Sequence, residues 1–258
     1  MRNCKIILIY LSIFLFCLPA FGNVNDDLFK AIEDGDAKKV QSLLKFGASL
    51  YAVNKDGITP IFFAVDCRHA KPDVIKILVK AGANLNVRNE DNYTPLIEAF
   101  HEKPGWFSNY QPHPEVIKTL IECGADVEAR ESKTGMTVIM HAVISTSNFK
   151  ALKILLEKAD LNAKDVDNEN ILMYAACNSQ ANPETIKFLV KSGLDVNAKN
   201  NKGITALMYS ARGKSAEAVK ALINLGADVF AIDNLGYTAL DYAKFDDIKQ
   251  AIINAAAK

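Results

Sequence analysis

The segment ITPIFFAV at residues 58–65 is repeated in altered form along the chain, as YTPLIEAF at 93, MTVIMHAV at 136, NILMYAAC at 170, ITALMYSA at 204 and YTALDYA at 237. A second block, LVKAGANLNV at 78 for example, precedes each copy by about sixteen residues. Successive anchoring residues are 35, 43, 33, 35 and 33 positions apart, and they are Thr59, Thr94, Thr137, Asn170, Thr205 and Thr238. Two blocks that recur in a fixed order establish an internal repeat.

Each repeat predicts two helices and a turn. Threonine begins a short helix with apolar residues at helical spacing, and a second amphipathic helix, at 74–79 for instance, ends at a glycine. A turn such as Asp56-Gly57 then leads to the next unit, which gives about 33 residues per repeat. The glycines expected to stop the second helices in a left-handed conformation are Gly47, Gly82, Gly124, Gly193 and Gly226.

These motifs resemble ankyrin repeats from Asp26 to Lys258. The resemblance implies an all-α solenoid of about seven helix-turn-helix repeats with short β-hairpin tips, in a domain of residues 23–258 with caps at about 23–53 and 232–258. The third repeat is longer than its neighbours, which predicts a loop insertion at about 101–114 between its two helices. The fifth repeat is the least regular, since Ala159 replaces the glycine stop and Asn170 replaces threonine.

The chain departs from the family at one position. Ankyrin repeats usually carry a histidine after Thr-Pro-Leu that ties neighbouring hairpins together. Because that histidine is missing, packing between helices is expected to do more of the work of holding the repeats together. The position holds Phe62, Ile97, Met140, Met173, Met208 and Asp241.

Residues 1–22 have the pattern of a secretory signal peptide. Arg2 and Lys5 precede an apolar run of 13 residues, from 6 to 18, and small residues follow at Ala20 and Gly22. We therefore expect cleavage before Asn23, with cleavage after Ala20 as the alternative, and a periplasmic or secreted protein that does not associate with a membrane. An uncleaved membrane anchor fits less well, because a span needs about 20 apolar residues.

The composition and motifs argue against several classes of function. The chain has 30 basic and 30 acidic residues and no basic block, so no nucleic-acid partner is predicted. Beyond residue 22 only Cys67, Cys123 and Cys177 remain, too few for a disulfide framework. No nucleophile elbow, phosphate loop, zinc-helix motif or carboxylate pair occurs. We expect neither an enzyme nor a cofactor.

The resemblance implies that a partner protein binds on the concave face of the solenoid. The residue after the family's histidine position projects there, and the residue before the repeat's threonine lies at its edge. Tyrosine suits such a site because it offers a large contact area with a polar tip, although it could equally pack neighbouring helices. The predicted contacts are Phe63, Tyr93, His141, Tyr174, Tyr209, Tyr237 and Tyr242.

The insertion at 101–114 supplies a second candidate contact. Trp106, Phe107 and Tyr110 either fold back over apolar surface or meet a partner. The sequence thus predicts a monomeric, non-catalytic protein-interaction scaffold that acts outside the cytoplasm. Two alternatives stay open. One is a metal- or haem-binding accessory protein that uses the insertion, and the other is a secreted effector that binds host proteins.

Overall fold

A computed structural model describes residues 23–65, 70–101, 112–145, 149–177 and 182–257. These residues form fourteen helices in seven successive pairs. The first helices of the pairs are α1 (Val24–Glu33), α3 (Pro60–Val65), α5 (Pro95–Glu98), α7 (Val138–Ser145), α9 (Ile171–Cys177), α11 (Ala206–Arg212) and α13 (Ala239–Tyr242). The second helices are α2 (Ala37–Lys45), α4 (Pro72–Lys80), α6 (Pro114–Glu122), α8 (Phe149–Leu156), α10 (Pro183–Lys191), α12 (Ala216–Asn224) and α14 (Asp246–Ala256). The prediction of an all-α solenoid is confirmed.

The helices start and stop where the repeat predicts. The hydroxyls of Thr94 and Thr205 accept the backbone N–H three residues later, which caps α5 and α11. The five predicted glycine stops have φ between +93° and +106°, a region that strongly favours glycine. Ala159 does not adopt this conformation, and α8 ends earlier, at Leu156.

The solenoid consists of two helix layers around one continuous apolar core. First helices pack on neighbouring first helices, and second helices pack on neighbouring second helices. Helices α8 and α10 approach each other less closely than other neighbouring second helices do. The positions that lack the family's histidine contribute Phe62, Ile97, Met140, Met173 and Met208 to the buried core.

A turn, called a tip below, precedes each first helix from α3 onward. The six tips, numbered in chain order, are 54–58, 89–93, 131–136, 165–169, 200–204 and 233–237. Isolated antiparallel bridges join Arg130 to Thr137 and Lys164 to Asn170, and the described residues contain no longer strand. The tips are therefore hydrogen-bonded turns and not extended hairpins.

Several predicted features fall outside the described residues. These are residues 1–22, Cys67, and the aromatic residues of the insertion, Trp106, Phe107 and Tyr110. Cys123 and Cys177 are free thiols. Within the described ranges, no helix combines the length and the hydropathy that a membrane crossing requires.

Candidate functional site

Three of the predicted contact tyrosines donate hydrogen bonds to carboxylates of the tips. The Tyr174 hydroxyl lies 2.6 Å from Oδ2 of Asp165, in the fourth tip. The Tyr242 hydroxyl lies 2.5 Å from Oδ2 of Asp233, in the sixth tip. The Tyr209 hydroxyl donates to Glu169, which belongs to the tip of the preceding repeat. These bonds join the first helices to the tips.

The same tip residues also hold their own turns. Oδ1 of Asp165 accepts the backbone N–H of the residues two and four positions later, at 2.9 and 2.8 Å. Oδ1 of Asp233 does the same at 2.8 and 2.9 Å. One oxygen of each carboxylate therefore shapes the tip while the other receives the tyrosine. Asn200 has a similar double role, because its Nδ2 donates to Oε1 of Glu169 at 2.9 Å.

These bonds link the tips to the helices in addition to the helix packing that is expected to do more of the work where the histidine is missing. Tyr174 and Tyr242, one position after the histidine position, fasten each tip to its own repeat. Sequence reasoning missed the acceptors, although a signal was present. An Asp or Asn lies nine residues before each of three tyrosines: Asp165 before Tyr174, Asn200 before Tyr209 and Asp233 before Tyr242.

The environment keeps these phenols protonated. Burial raises the pKa of Tyr174 and of Tyr209, and hydrogen bonds to Asp165 and Glu169 respectively raise it further. The pKa of Tyr242 is raised mainly by its hydrogen bond to Asp233, and the same bond holds the pKa of that carboxyl below its usual value. All three tyrosines therefore act as donors near neutral pH.

His141 occupies the equivalent position in the fourth repeat but is buried. Its Nε2 lies 3.9 Å from Oε2 of Glu131 and makes no hydrogen bond in the described part of the chain. The ring of Tyr93 meets it edge-on, with centroids 5.3 Å apart. Burial lowers the pKa of His141 to about 4, although the Glu131 charge opposes the shift. The neutral imidazole lies beneath the surface.

The other predicted contacts differ in accessibility. Phe63 and Tyr93 are half-buried, and the Phe63 ring packs edge-on against Phe29. Tyr237 is 51% exposed, with its ring centroid 6.2 Å from that of Tyr242. Sequence reasoning missed two apolar tip residues, Val166 and Leu235, which are 63% and 80% exposed. They lie in the two tips that Tyr174 and Tyr242 hold.

Metal ligation finds no support among the residues described here. They contain no group of three or more His, Cys, Asp or Glu side chains with metal-binding geometry. Residues 102–111 of the insertion lie outside the description. The alternative of a metal or haem site at 101–114 therefore stays a prediction.

Comparison with known proteins agrees with the repeat architecture. A family model of ankyrin repeats matches three times, at residues 28–130, 105–200 and 172–255. None of the curated proteins matches the chain in sequence. Among solved structures, the human ASB11 ankyrin repeat domain superposes with a TM-score of 0.71 at 20% identity, over 88% of this chain and 96% of that one.

Two further structures are similar. The ankyrin repeat domain of Bcl-3 has a TM-score of 0.68 and 24% identity, over 88% of this chain and 97% of that one. A chain in the structure of the Bd0816 predatory endopeptidase from Bdellovibrio bacteriovorus in complex with immunity protein Bd3460 has a TM-score of 0.60 and 28% identity, over 77% of this chain and 97% of that one. The motifs, the paired helices and the family match lead to one conclusion: the chain belongs to the ankyrin-repeat family.

Proposed function

We propose that this chain is a non-catalytic scaffold that binds a partner protein on its concave face, outside the cytoplasm. Ankyrin repeats generally mediate protein–protein interaction. One observation carries the proposal for this site: tyrosines fixed by tip carboxylates lie beside exposed apolar tip residues. Such a surface has little side-chain freedom to lose when a partner binds, so more of the contact energy appears as affinity.

The surface has the make-up of a protein interface. Val166, Leu235 and Tyr237 supply apolar and aromatic contact area, while the carboxylates and amides of the tips supply a polar rim. Half-buried Phe63 and Tyr93 extend the face toward the first repeats. His141 lies below it and supports the contact residues.

The solved structures suggest a class of partner. One chain at 28% identity comes from a predatory endopeptidase in complex with an immunity protein. This supports a partner that is itself a protein, and we propose an exported enzyme that the scaffold holds inactive. The proposed location supports the same class, since a scaffold outside the cytoplasm meets exported proteins.

The proposed location rests on residues 1–22. Their charge and hydropathy follow the pattern of a signal peptide. Helix α1 begins at Val24, and the Asn23 side chain accepts the backbone N–H of Asn25. Cleavage before Asn23 would therefore leave the first repeat intact. N-terminal sequencing of protein from an envelope or medium fraction should begin at Asn23, whereas cytoplasmic protein that keeps residues 1–22 would overturn this part of the proposal.

A capture experiment with the full chain tests the binding face. One variant replaces the exposed tip residues Val166, Leu235 and Tyr237 with serine, which leaves the tyrosine–carboxylate bonds in place. The matched control replaces three exposed lysines of the second helices with serine: Lys153, Lys187 and Lys220. Loss of a crosslinked exported partner in the tip variant, with retention in the control, supports the proposal. Equal capture by both variants would place the interface elsewhere.

A further inference from the structure

Basic side chains bridge two neighbouring gaps between tips. Nη1 of Arg88 donates to the carbonyl of Asn92 in its own tip at 2.7 Å and to the carbonyl of Arg130 before the next tip at 2.8 Å. One repeat later, Nη1 of Arg130 donates to the carbonyls of Gly135 and Lys164 at 2.9 and 2.7 Å. In both gaps a single guanidinium therefore links two backbone carbonyls that belong to successive repeats.

The gap between the first and second tips has no such bridge. The equivalent position holds Val53, which is 58% exposed and has no donor to offer. The two equivalent carbonyls are those of Gly57 and Arg88, and neither accepts a hydrogen bond from any described residue. Both residues line a cavity of about 490 Å³. This cavity, called the first cleft below, is therefore lined by two residues whose carbonyls are unoccupied, whereas a guanidinium occupies the equivalent carbonyls in the next two gaps.

The residues that line the first cleft have the chemistry to bind a side chain that carries a positive charge on an apolar stem. Asp56, Glu90 and Asp91 line it, and in the described part of the chain no lysine or arginine lies within ion-pair distance of these three. Ile58 and Phe62 add apolar surface to the lining. Arg88 lies two residues before Glu90, but its guanidinium is already directed to the second and third tips.

We infer that the first cleft binds an arginine side chain of the partner protein. The guanidinium donates to the carbonyls of Gly57 and Arg88, repeating the geometry that Arg88 and Arg130 show one and two gaps further on. The carboxylates of Asp56 and Asp91 meet its charge. Arginine is favoured over lysine because Nη1 of Arg88 and of Arg130 each reaches two carbonyls, whereas Lys199, at the equivalent position between the fifth and sixth tips, reaches only that of Ile232. The inference rests on the proposed function, namely that the chain binds a protein.

The chain itself supplies a decisive variant. Val53→Arg places a guanidinium where Arg88 and Arg130 have theirs, so the chain's own side chain fills the first cleft and excludes a partner's arginine. Val53→Gln is the matched control, since it is also longer and polar but carries no charge. Both changes are at an exposed position, so neither should prevent folding.

The test is an NMR titration of the labelled domain with a blocked Gly-Arg-Gly peptide, followed at the amides of Gly57 and Asp91. We expect saturable shifts at millimolar peptide for the natural sequence and for Val53→Gln. For Val53→Arg, and for a peptide with uncharged citrulline in place of arginine, binding should be about tenfold weaker or lost. Absence of saturable shifts with the arginine peptide, or equal shifts in Val53→Arg, would overturn the inference.

Failure of the proposed function has a different signature. The serine substitutions at Val166, Leu235 and Tyr237 lie in the fourth and sixth tips, outside the lining of the first cleft, and should leave the peptide titration unchanged. If no variant affects partner capture while the peptide still binds, the concave-face proposal fails and the first cleft stands. If capture depends on the tips but the peptide never binds, the first-cleft inference fails alone.

Discussion

The Tyr174 hydroxyl lies 2.6 Å from a carboxylate oxygen of Asp165, nine residues earlier in the chain. The other oxygen of Asp165 holds the fourth tip through two backbone N–H groups. Tip and helix are therefore one hydrogen-bonded unit within a single repeat, and Tyr242 with Asp233 repeats the arrangement at the same spacing. The tyrosines contribute to the stability of the surface on which we propose that a partner binds.

Removal of one hydroxyl should therefore destabilise the fold. We expect Tyr174→Phe to lower the free energy of unfolding by about 1–2 kcal/mol, since a hydrogen bond to a charged acceptor is lost from a half-buried site. Urea denaturation followed by circular dichroism measures the difference. Tyr51→Phe, at an exposed tyrosine, is the control and should change stability by less than about 0.5 kcal/mol. Equal effects of the two changes would contradict a structural role for the bond.

His141 predicts an acid-sensitive stability. Its pKa is about 4 in the folded chain and about 6.5 when unfolded, so the unfolded state binds the proton more readily. The contribution of the neutral His141 to the free energy of unfolding should be fully present above pH 6.5 and should fall as the pH drops from 6.5 to 4. The total loss from this group is about 3 kcal/mol.

The variant His141→Tyr isolates this effect, because tyrosine is the residue found at the equivalent positions 174 and 209. The difference in unfolding free energy between the variant and the natural sequence should grow as the pH falls from 6.5 to 4. Val166→Ser, which changes an exposed side chain without a titratable group, should show no such trend. A constant difference across this range for His141→Tyr would mean that folding leaves the pKa of His141 unchanged.

The sequence predicted the helices well because their signals are local. The glycine stops, the threonine caps and the apolar spacing each act within a few residues, so the repeat could be read directly. The hydrogen bond from Tyr209 to Glu169 joins residues 40 positions apart in two successive repeats. Glu169 could not be identified as the acceptor before the positions of the tips in space were known. The first cleft escaped notice because it depends on Val53, whose importance appears only when the next gaps are seen to contain arginine.

Two glycines with similar φ should respond differently to alanine. Gly226 has φ +93° and no atom within 4 Å of an added Cβ, so Gly226→Ala should cost only the left-handed strain of about 1–2 kcal/mol. Gly203 has φ +76°, and an added Cβ would lie 2.9 Å from the backbone nitrogen of Asn234 in the next tip. Gly203→Ala should therefore destabilise the chain more than Gly226→Ala in urea denaturation. The reverse order would show that the tips do not stack this closely in solution.

The least regular part of the repeat should open first. Helix α8 ends at Leu156 without the left-handed stop that α2, α4, α6, α10 and α12 have, because Ala159 stands in place of glycine. It also approaches α10 less closely than other adjacent second helices approach each other. Stability in a solenoid is a sum over repeats and their interfaces, so a weak interface opens locally. Amides of α8 should exchange with solvent about tenfold faster than those of α6 or α12, which corresponds to ~1.4 kcal/mol of local stability.

Insertion of a glycine between Lys158 and Ala159 restores the helix stop and should slow this exchange, whereas an identical insertion after Lys133, in the third tip, should not. Uniform exchange across the three helices would mean that this interface is as strong as its neighbours.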